Sequence, residues 1–396
     1  MPPSIACLLL LIAADEPRPE VAVTFRVTVP AATPRDAKVH LAGNLAAAGA
    51  WKADGVPMTR LADGRHGATL KLSRGDALEY KITLGSWPRG EKDSGGRDRK
   101  NRSLLVDRDG PIEVTVEVAA WGSGELAKPL KSTAVGDIRG HRDFASKILG
   151  NRRGVVVWLP PGYDAEPARR YPVLYLQDGQ NVFDAATSAF GVEWRADEAA
   201  DRLIRAKAIP PIILVAIDNT PDRIGEYTPV ADPARKVGGD GPKYARFVVE
   251  ELKPFIDAAY RTKPGRASTA VGGSSLGGLA AMEMALDHPE VFGLCAAVSP
   301  SIWWADDRLI ADAKAKGHAA RRIKFWIDMG TREGVGKDDA ISPHVDRARK
   351  LAKALEDAGP KPERDVHLEI IVGGEHGEKD WAARFDRILI YLFREP

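Results

Sequence analysis

The chain has few cysteines, almost no excess of charge of either sign, and no apolar run long enough to cross a membrane. Only 2 cysteines occur among its 396 residues, Cys7 and Cys295. Cys7 lies in an N-terminal leader, so the mature chain would have no intramolecular disulfide, which a large core tolerates in any compartment. The 57 basic and 55 acidic residues give a net charge of +2. This balance predicts no nucleic-acid partner and no anionic membrane surface as a partner.

An uninterrupted apolar run from Ile5 to Ala14 opens the chain. The run has about half the length of a membrane span, so it predicts no stable span. We favour a cleaved secretory signal over residues 1–15, with release after Ala14, and therefore expect a secreted or periplasmic protein. Because no Lys or Arg lies in the first fifteen residues, a disordered or incorrectly assigned start is the alternative.

The remaining chain divides into two parts with different sequence patterns. Residues 19–121 contain short alternating strands, such as VAVTFRVTV and LEYKITLG, separated by turn residues without helices, which predicts a small all-β sandwich. Residues 122–140 are small and polar and indicate a linker. In residues 141–396, apolar strands such as PIILVAID alternate with amphipathic helices. This alternation predicts the α/β class, with a mostly parallel sheet covered on both faces.

The stretch RASTAVGGSSLGGLAAMEMALDHP places Ser275 between an apolar strand and a helix. A GxSxG match alone is common, but here the flanks supply the strand and the helix that a nucleophilic serine requires. Glycines two residues before and after the serine let the two backbones approach closely. A phosphate-binding turn is disfavoured because the run lacks both the GxxxxGK[ST] lysine and the GxGxxG spacing.

A serine nucleophile needs a histidine base and a carboxylate that orients it, and in α/β-hydrolases these follow in the order Ser, Asp or Glu, His. Among the histidines after Ser275, only His376 lies on a loop just past a C-terminal strand, in IVGGEHGEKDW. Glu333 is favoured as the acid because it lies on the turn after the strand RIKFWIDMG. Asp328, still inside that strand, suits a structural role better, and Asp338 is the reserve. The tetrahedral oxyanion also needs two fixed donors, and topology favours the backbone N–H groups of Leu276 and Gln180.

Residues from about 141 to 396 resemble the Putative esterase family of α/β-hydrolases, which includes esterase D, enterochelin esterases, feruloyl and acetylxylan esterases and mycolyltransferases. The matching strings are YLQDGQNVFD, RIGEYTP, GGSSLGGLAAMEMALDHPEVFG, SPSIWW, DMGTREG and GGEHGEKDW. The resemblance implies the triad acid at the GTxE position, Glu333, and an oxyanion donor after DG, Gln180. It also implies that Trp303 and Trp304 line an acyl pocket, although at least one of them also suits the core. Arg223, in RIGEYTP, is a candidate substrate contact whose alternative role is to hold its loop.

The N-terminal part resembles the starch-binding domains of carbohydrate-binding module families 20 and 48. The matching strings are VTFRVTV, VHLAGNLAAAGAW, EYKI, GSW, NR and VTVEVAAW. The resemblance implies sugar contacts at Trp87, Lys81 and Asn101, because aromatic rings pack well on the apolar faces of pyranoses. Where starch binders usually place a second tryptophan, this chain has RHG at residues 65–67. A spacer sandwich with purely structural tryptophans is therefore the alternative.

Together these features predict a serine carboxyl-ester hydrolase that acts on ester substrates and needs no metal ion or organic cofactor. The attached sandwich makes feruloyl or acetyl esters of polysaccharide the leading substrate class, with possible glucan binding by the sandwich itself. A siderophore lactone esterase of the enterochelin type is the alternative enzyme. A carbohydrate-binding protein whose hydrolase domain is inactive is the alternative from another class.

Overall fold

The computed structural model describes residues 19–94, 96, 99, 101–123, 131–188, 191–233, 235–334 and 341–394. The predicted leader at residues 1–15 and the reserve acid Asp338 lie outside these residues. The chain divides into two compact units, Met1–Ala127 and Lys128–Pro396.

The N-terminal unit is built from two four-stranded sheets, in the orders β4-β5-β1-β9 and β3-β2-β6-β8, with β7 and β10 forming a short third sheet. Its strands are β1 (Glu20–Thr28), β2 (His40–Gly43), β3 (Val56–Pro57), β4 (Thr59–Arg60), β5 (His66–Ser73), β6 (Ala77–Thr83), β7 (Glu91–Lys92), β8 (Arg102–Leu105), β9 (Ile112–Glu117) and β10 (Ala120–Trp121). Every second residue of β1 is buried, as the alternating sequence predicts. Phe25 of β1 meets Tyr80 of β6 edge-on at 5.1 Å, so the buried faces of the two sheets share one core. The predicted all-β sandwich is confirmed.

The second unit contains an eight-stranded sheet in the order β11-β12-β14-β13-β17-β18-β19-β20. Its strands, with the hairpin β15 and β16, are β11 (Asp137–Ala145), β12 (Arg152–Leu159), β13 (Val173–Gln177), β14 (Ile213–Ile217), β15 (Ala231–Asp232), β16 (Val237–Gly238), β17 (Thr269–Ser274), β18 (Leu294–Val298), β19 (Lys324–Gly330) and β20 (Val366–Ile371). β12 pairs antiparallel with β11 and β14, and from β14 to β20 all neighbouring strands are parallel.

Helices cover both faces of this sheet. They are α1 (Ala196–Arg205), α2 (Arg223–Glu226), α3 (Gly241–Arg246), α4 (Lys253–Ala259), α5 (Leu276–Asp287), α6 (Arg308–Lys316), α7 (Pro343–Ala358), α8 (Glu378–Ala382) and α9 (Phe385–Phe393), with a π-helical segment, Phe247–Leu252, joining α3 to α4. One hydrophobic cluster packs α3 to α7 against one face of the sheet, and a second packs α1 and α9 against the other. The central strands are therefore buried on both faces, which explains their continuous apolar runs. The predicted α/β fold is confirmed.

The start of the second unit differs from the predicted boundary at residue 141. β11 begins at Asp137, inside the predicted linker of residues 122–140. Residues just before it are already fixed, because the Val135 N–H donates to the Asp197 carboxylate at 2.7 Å. β11 is an edge strand with many exposed residues, so it lacks the apolar run that marks the inner strands.

The loops that follow parallel strands β13, β17, β18, β19 and β20 all leave the carboxyl edge of the sheet, where α/β proteins gather their ligand-binding groups. These loops contain Gln180, Ser275, Trp303, Glu333 and His376. Among the helices of the described residues, none has both the length and the apolar character needed to cross a membrane.

Candidate active site

Ser275 occupies the sharp turn between β17 and α5. Its backbone has φ 57° and ψ −123°, a conformation that costs a non-glycine residue free energy and is typical of a nucleophile held at the apex of such a turn. The Ser275 N–H donates to the Val298 carbonyl at 3.0 Å, which fixes the turn to the end of β18. The side chain is only partly buried, so its oxygen remains accessible.

The glycines around Ser275 are required by close backbone contacts. A Cβ atom on Gly273 would lie 2.6 Å from the carbonyl carbon and oxygen of Gly277. Because such a distance is far below van der Waals contact, any larger residue would force the strand and the helix apart. The sequence interpretation of a turn that needs close approach at this point therefore agrees with the observed packing.

The structure brings Ser275, His376 and Glu333 into one hydrogen-bonded chain. His376 Nε2 lies 2.9 Å from Ser275 Oγ, and His376 Nδ1 lies 2.8 Å from Glu333 Oε2. Trp381 packs edge-on against the imidazole, with ring centroids 5.0 Å apart. This geometry allows the imidazole to accept the serine proton while the carboxylate holds its tautomer.

Glu333 is buried, with 2% of its surface exposed, and it is held by several hydrogen bonds. Its Oε1 accepts the Gly330 N–H at 2.7 Å and the Ser299 hydroxyl at 2.6 Å. Burial alone would raise the pKa of Glu333, but the hydrogen bonds from His376, Ser299 and Gly330 outweigh burial and hold that pKa below its usual value. Glu333 therefore carries its charge at neutral pH and can stabilise a protonated imidazole.

Asp328, the alternative acid, has different partners. It is fully buried in β19, and its carboxylate accepts Arg384 Nη2 at 2.8 Å and Trp326 Nε1 at 2.7 Å. Arg384 is itself 1% exposed, so the two residues form a buried ion pair. Asp328 therefore has the structural role that its place inside the strand suggests.

Ser299 links the two carboxylates and was not singled out by the sequence. Its hydroxyl donates to Glu333 and accepts Arg384 Nη2 at 2.7 Å and Trp381 Nε1 at 3.1 Å. Ser299 immediately follows buried strand β18, with φ 42°. A polar residue directly after a buried strand is a signal that could have found it, whereas no local pattern marks Arg384 on the C-terminal segment.

The two expected oxyanion donors lie on the turns after β17 and β13. Leu276 is the first residue of α5, where the backbone N–H has no acceptor within the helix. Gln180 lies in the 3₁₀ turn Gly179–Asn181, and its side-chain Oε1 accepts the Asn219 N–H at 3.2 Å. A Cβ on Gly179 would come within 2.6 Å of the Ile217 nitrogen, so this turn also requires glycine.

Arg223 anchors the loop that carries Gln180. Its guanidinium makes two hydrogen bonds, of 2.6 and 2.7 Å, to the buried carboxylate of Asp178, which directly precedes the Gly179 turn. A bidentate pair of this kind fixes geometry strongly. The contacts favour the loop-holding role of Arg223, the alternative to direct substrate contact.

The two adjacent tryptophans after β18 have different environments. Trp304 is 2% exposed within the core, and its Nε1 donates to the Val230 carbonyl at 2.9 Å. Trp303 is only partly buried and lies under the guanidinium of Arg235, at 4.8 Å. Trp304 is thus a structural residue, which corrects its assignment to the pocket surface, and Trp303 remains the candidate for an acyl contact.

The predicted sugar contacts lie on the sandwich. Trp87 is 44% exposed and faces Trp51 with ring centroids 6.2 Å apart. Lys81 lies in β6 on the opposite face from the buried Leu78, Tyr80 and Ile82. Asn101 is exposed, and its amide donates to the Glu79 carboxylate at 3.1 Å.

The sequence model of one protein family, described as "Putative esterase", matches residues 146–392. The chain belongs to this family. The esterase is 30% identical over 259 residues to an endo-1,4-beta-xylanase/feruloyl esterase of Xylanibacter ruminicola, which covers 63% of this chain and 31% of the relative. It is 32% identical over 153 residues to the ferri-bacillibactin esterase BesA of Bacillus subtilis, which covers 35% of this chain and 50% of the relative. It is thus a carboxylic ester hydrolase.

Two further comparisons concern an amylase and a solved structure. An alpha-amylase of Niallia circulans is 42% identical over 101 residues, covering 25% of this chain and 8% of the amylase. The enterobactin esterase FES of Shigella flexneri has a similar fold, with a TM-score of 0.53 and 19% identity over 90% of this chain and 87% of that one. The esterase therefore spans less than a third of the length of the xylanase and of the amylase.

Proposed function

We propose that the esterase removes feruloyl or acetyl groups from polysaccharide through an acyl-enzyme on Ser275. The observation that carries this mechanism is the hydrogen-bonded chain from Ser275 through His376 to the buried Glu333. A serine hydroxyl is a weak nucleophile at neutral pH, and a histidine at 2.9 Å can take its proton as attack begins. Water then replaces the alcohol product and releases the acid.

In the first step, Ser275 Oγ attacks the ester carbonyl while His376 Nε2 accepts its proton. The carbonyl oxygen becomes negative, and the N–H groups of Leu276 and Gln180 donate to it. The protonated imidazole is stabilised by Glu333 and then gives its proton to the departing alcohol oxygen of the sugar. The C–O bond to the alcohol breaks, and the acyl group stays on Ser275.

In the second step, a water molecule attacks the acyl-enzyme. His376 takes a proton from that water, and the same two N–H groups stabilise the second oxyanion. Collapse returns the proton to Ser275 Oγ and releases the carboxylic acid. The cycle restores every group, so only ester and water are consumed, and Trp303 is the side chain that we expect to contact a flat acyl group.

The polysaccharide assignment rests on the relatives and on the sandwich. The feruloyl esterase relative is joined by its name to a xylanase, and the amylase match has about the length of the strand-rich region Glu20–Trp121. Exposed Trp87, with Lys81 and Asn101, supplies the aromatic and polar groups that a glucan would contact. Export of the enzyme, predicted from the leader, would bring it to such polymers.

A siderophore lactone is the second candidate substrate. It is favoured by the 32% identity to the ferri-bacillibactin esterase and by the SPSIWW string, which resembles the enterochelin branch. Both substrate classes use the same attack on an ester carbonyl, so the triad does not distinguish them. The two classes differ in the acyl group that the pocket must hold and in the alcohol that leaves.

Rates on methyl ferulate, acetylated xylan and a catecholate trilactone, measured side by side with one enzyme preparation, test the proposal. We expect kcat/KM on methyl ferulate or acetylated xylan to exceed that on the trilactone by at least about tenfold. A preference for the trilactone of the same size would replace the polysaccharide assignment with the siderophore one.

Substitution of two neighbouring serines tests the mechanism independently of the substrate class. Ser275→Ala should lower kcat on p-nitrophenyl acetate by roughly 10⁴ to 10⁶-fold, because a triad without its nucleophile retains little activity. Ser274→Ala is the matched control, since Ser274 is the buried last residue of β17 and should keep most of the activity. Full activity of Ser275→Ala would disprove the acyl-enzyme mechanism.

A further inference from the structure

Three carboxylates of the hydrolase unit converge at the start of α1. They belong to Glu193, Asp197 and Glu198, and one oxygen of each lies within 4.8 Å of the others. Asp197 is fully buried and Glu193 is 5% exposed, whereas 19% of the Glu198 side chain is exposed. None of the three belongs to the candidate triad, and the ester chemistry does not use them.

Each of these carboxylates has one oxygen that accepts a hydrogen bond from a donor group of the described residues and one that does not. Glu193 Oε1 accepts the Thr133 hydroxyl, and Asp197 Oδ2 accepts the Val135 N–H. The other oxygens, Glu193 Oε2 and Asp197 Oδ1, together with Glu198 Oε2, are buried and have no hydrogen-bond partner among the described residues. Among the described residues, the cluster therefore presents three buried oxygens that accept no hydrogen bond from a donor group, and those of Asp197 and Glu198 lie close enough to share a proton when no cation is bound.

The surrounding groups compensate this negative charge only in part. Arg195 Nε contacts the engaged oxygen of Glu198 at 3.2 Å, but its side chain is 68% exposed. The N-terminus of α1 adds a partial positive charge of about half a unit. Burying carboxylates without a full set of partners costs free energy, so a positive ligand would stabilise the cluster.

We propose that Glu193, Asp197 and Glu198 bind one hard divalent cation, with Ca²⁺ favoured. The donor set contains only carboxylate oxygens, which suit Ca²⁺, whereas Zn²⁺ sites use histidine and cysteine ligands. Oxygens bound to one Ca²⁺ at about 2.4 Å must lie within about 4.8 Å of one another, a condition that one oxygen of each carboxylate meets. Water and backbone carbonyls complete the six to eight ligands that the ion takes.

A bound cation would fix two neighbouring segments against α1. The first is the segment at Val135, which leads directly into β11. The second is the turn of the candidate oxyanion donor, because the Trp194 N–H donates to the Asn181 carbonyl at 2.9 Å and the Ala196 N–H donates to the Val182 carbonyl at 3.2 Å. The site would therefore stabilise the hydrolase unit and the loop after β13.

Calcium titration of the full chain, stripped with EDTA, tests the site by calorimetry and thermal melting. We expect one Ca²⁺ per chain and a rise in Tm of about 5–10 °C at a concentration 100-fold above Kd. Asp197→Asn should abolish both effects. Asp346→Asn is the matched control, since it also removes a carboxylate from the first turn of a helix but is exposed, and it should bind Ca²⁺ like the parent.

Two results would overturn the proposal. One is a parent protein that takes up no Ca²⁺ at pH 8 and shows no change in Tm, which would mean that the three carboxylates share a proton instead. The other is calcium uptake by Asp197→Asn equal to that of the parent. If Asp197→Asn does not fold, Glu198→Gln, at the more exposed position, provides the same comparison. Ser275→Ala should bind Ca²⁺ normally, so the site is tested separately from the ester chemistry.

Discussion

Glu333 and Trp87 represent opposite ways of holding a candidate functional side chain. Glu333 is 2% exposed and accepts hydrogen bonds from His376, Ser299 and the Gly330 amide. Trp87 is 44% exposed at the start of a 3₁₀ turn, with the Trp51 ring as its aromatic neighbour. A charge that must point at one nitrogen needs many fixed partners, whereas a ring that is proposed to meet a flat sugar needs an open face.

This difference determines how each site should respond to mutation. Buried polar networks are costly to disturb, because each group left without a partner loses both its hydrogen bond and its hydration. An exposed aromatic residue can be removed with little effect on folding, so its loss should act on binding alone. Substitutions on the buried side and on the exposed side should therefore separate effects on catalysis from effects on binding.

Among substitutions of the residues around Glu333 and Trp87, Glu333→Gln should have the largest effect. The amide nearly preserves the shape of the side chain but cannot stabilise a protonated His376, so we expect kcat on p-nitrophenyl acetate to fall about 10³ to 10⁴-fold with little change in KM. Steady-state kinetics measure this effect, and circular dichroism establishes that the variant is folded.

Asp328→Asn is the matched control for that variant. It also converts a buried carboxylate to an amide, but this carboxylate binds Arg384 and not His376. Removing one partner of a buried ion pair costs about 3–5 kcal/mol, so Tm should fall while kcat well below Tm stays near that of the parent. A larger loss of kcat in Asp328→Asn than in Glu333→Gln would show that the triad acid has been assigned to the wrong carboxylate.

Ser299→Ala should have an intermediate effect. Its hydroxyl positions Glu333 and accepts hydrogen bonds from Arg384 and Trp381, so we expect kcat to fall about tenfold and stability to fall by about 1–3 kcal/mol. Ser146→Ala provides the comparison, because Ser146 is also buried and donates to a carboxylate, that of Glu251, at 2.6 Å. If both variants lose stability but neither loses kcat, Ser299 has a purely structural role.

The sequence predicted the features that depend on local pattern. Apolar runs such as ILVAI mark strands buried on both faces, and alternation in β1 marks a strand buried on one face. Ser275, Glu333 and His376 were found because each follows its own strand, and parallel strands deliver such residues to one edge of the sheet. The fold class could therefore be predicted before any distance was known, and the esterase family was inferred from the resemblance of six sequence strings to that family.

Features that depend on contacts between distant residues could not be predicted in this way. Ser299 and Arg384 meet across 85 positions of the chain, and neither lies in a periodic pattern. The adjacent residues Trp303 and Trp304 look the same in sequence, yet only Trp304 is enclosed by the core. In the sequence, the acidic residues at α1 are typical of the first turn of any helix. Only the burial of Asp197 distinguishes them.

Trp87→Ala tests the exposed side of the comparison and should have the smallest effect. Loss of one stacking ring should weaken retardation in amylose-containing native gels by about fivefold in apparent affinity, because an aromatic contact contributes about 1 kcal/mol. Activity on methyl ferulate and Tm should stay unchanged. Leu105→Ala, which removes another exposed apolar side chain of the sandwich, should leave retardation intact. If the parent itself shows no retardation, the sandwich is a spacer, and the exposure of Trp87 needs another explanation.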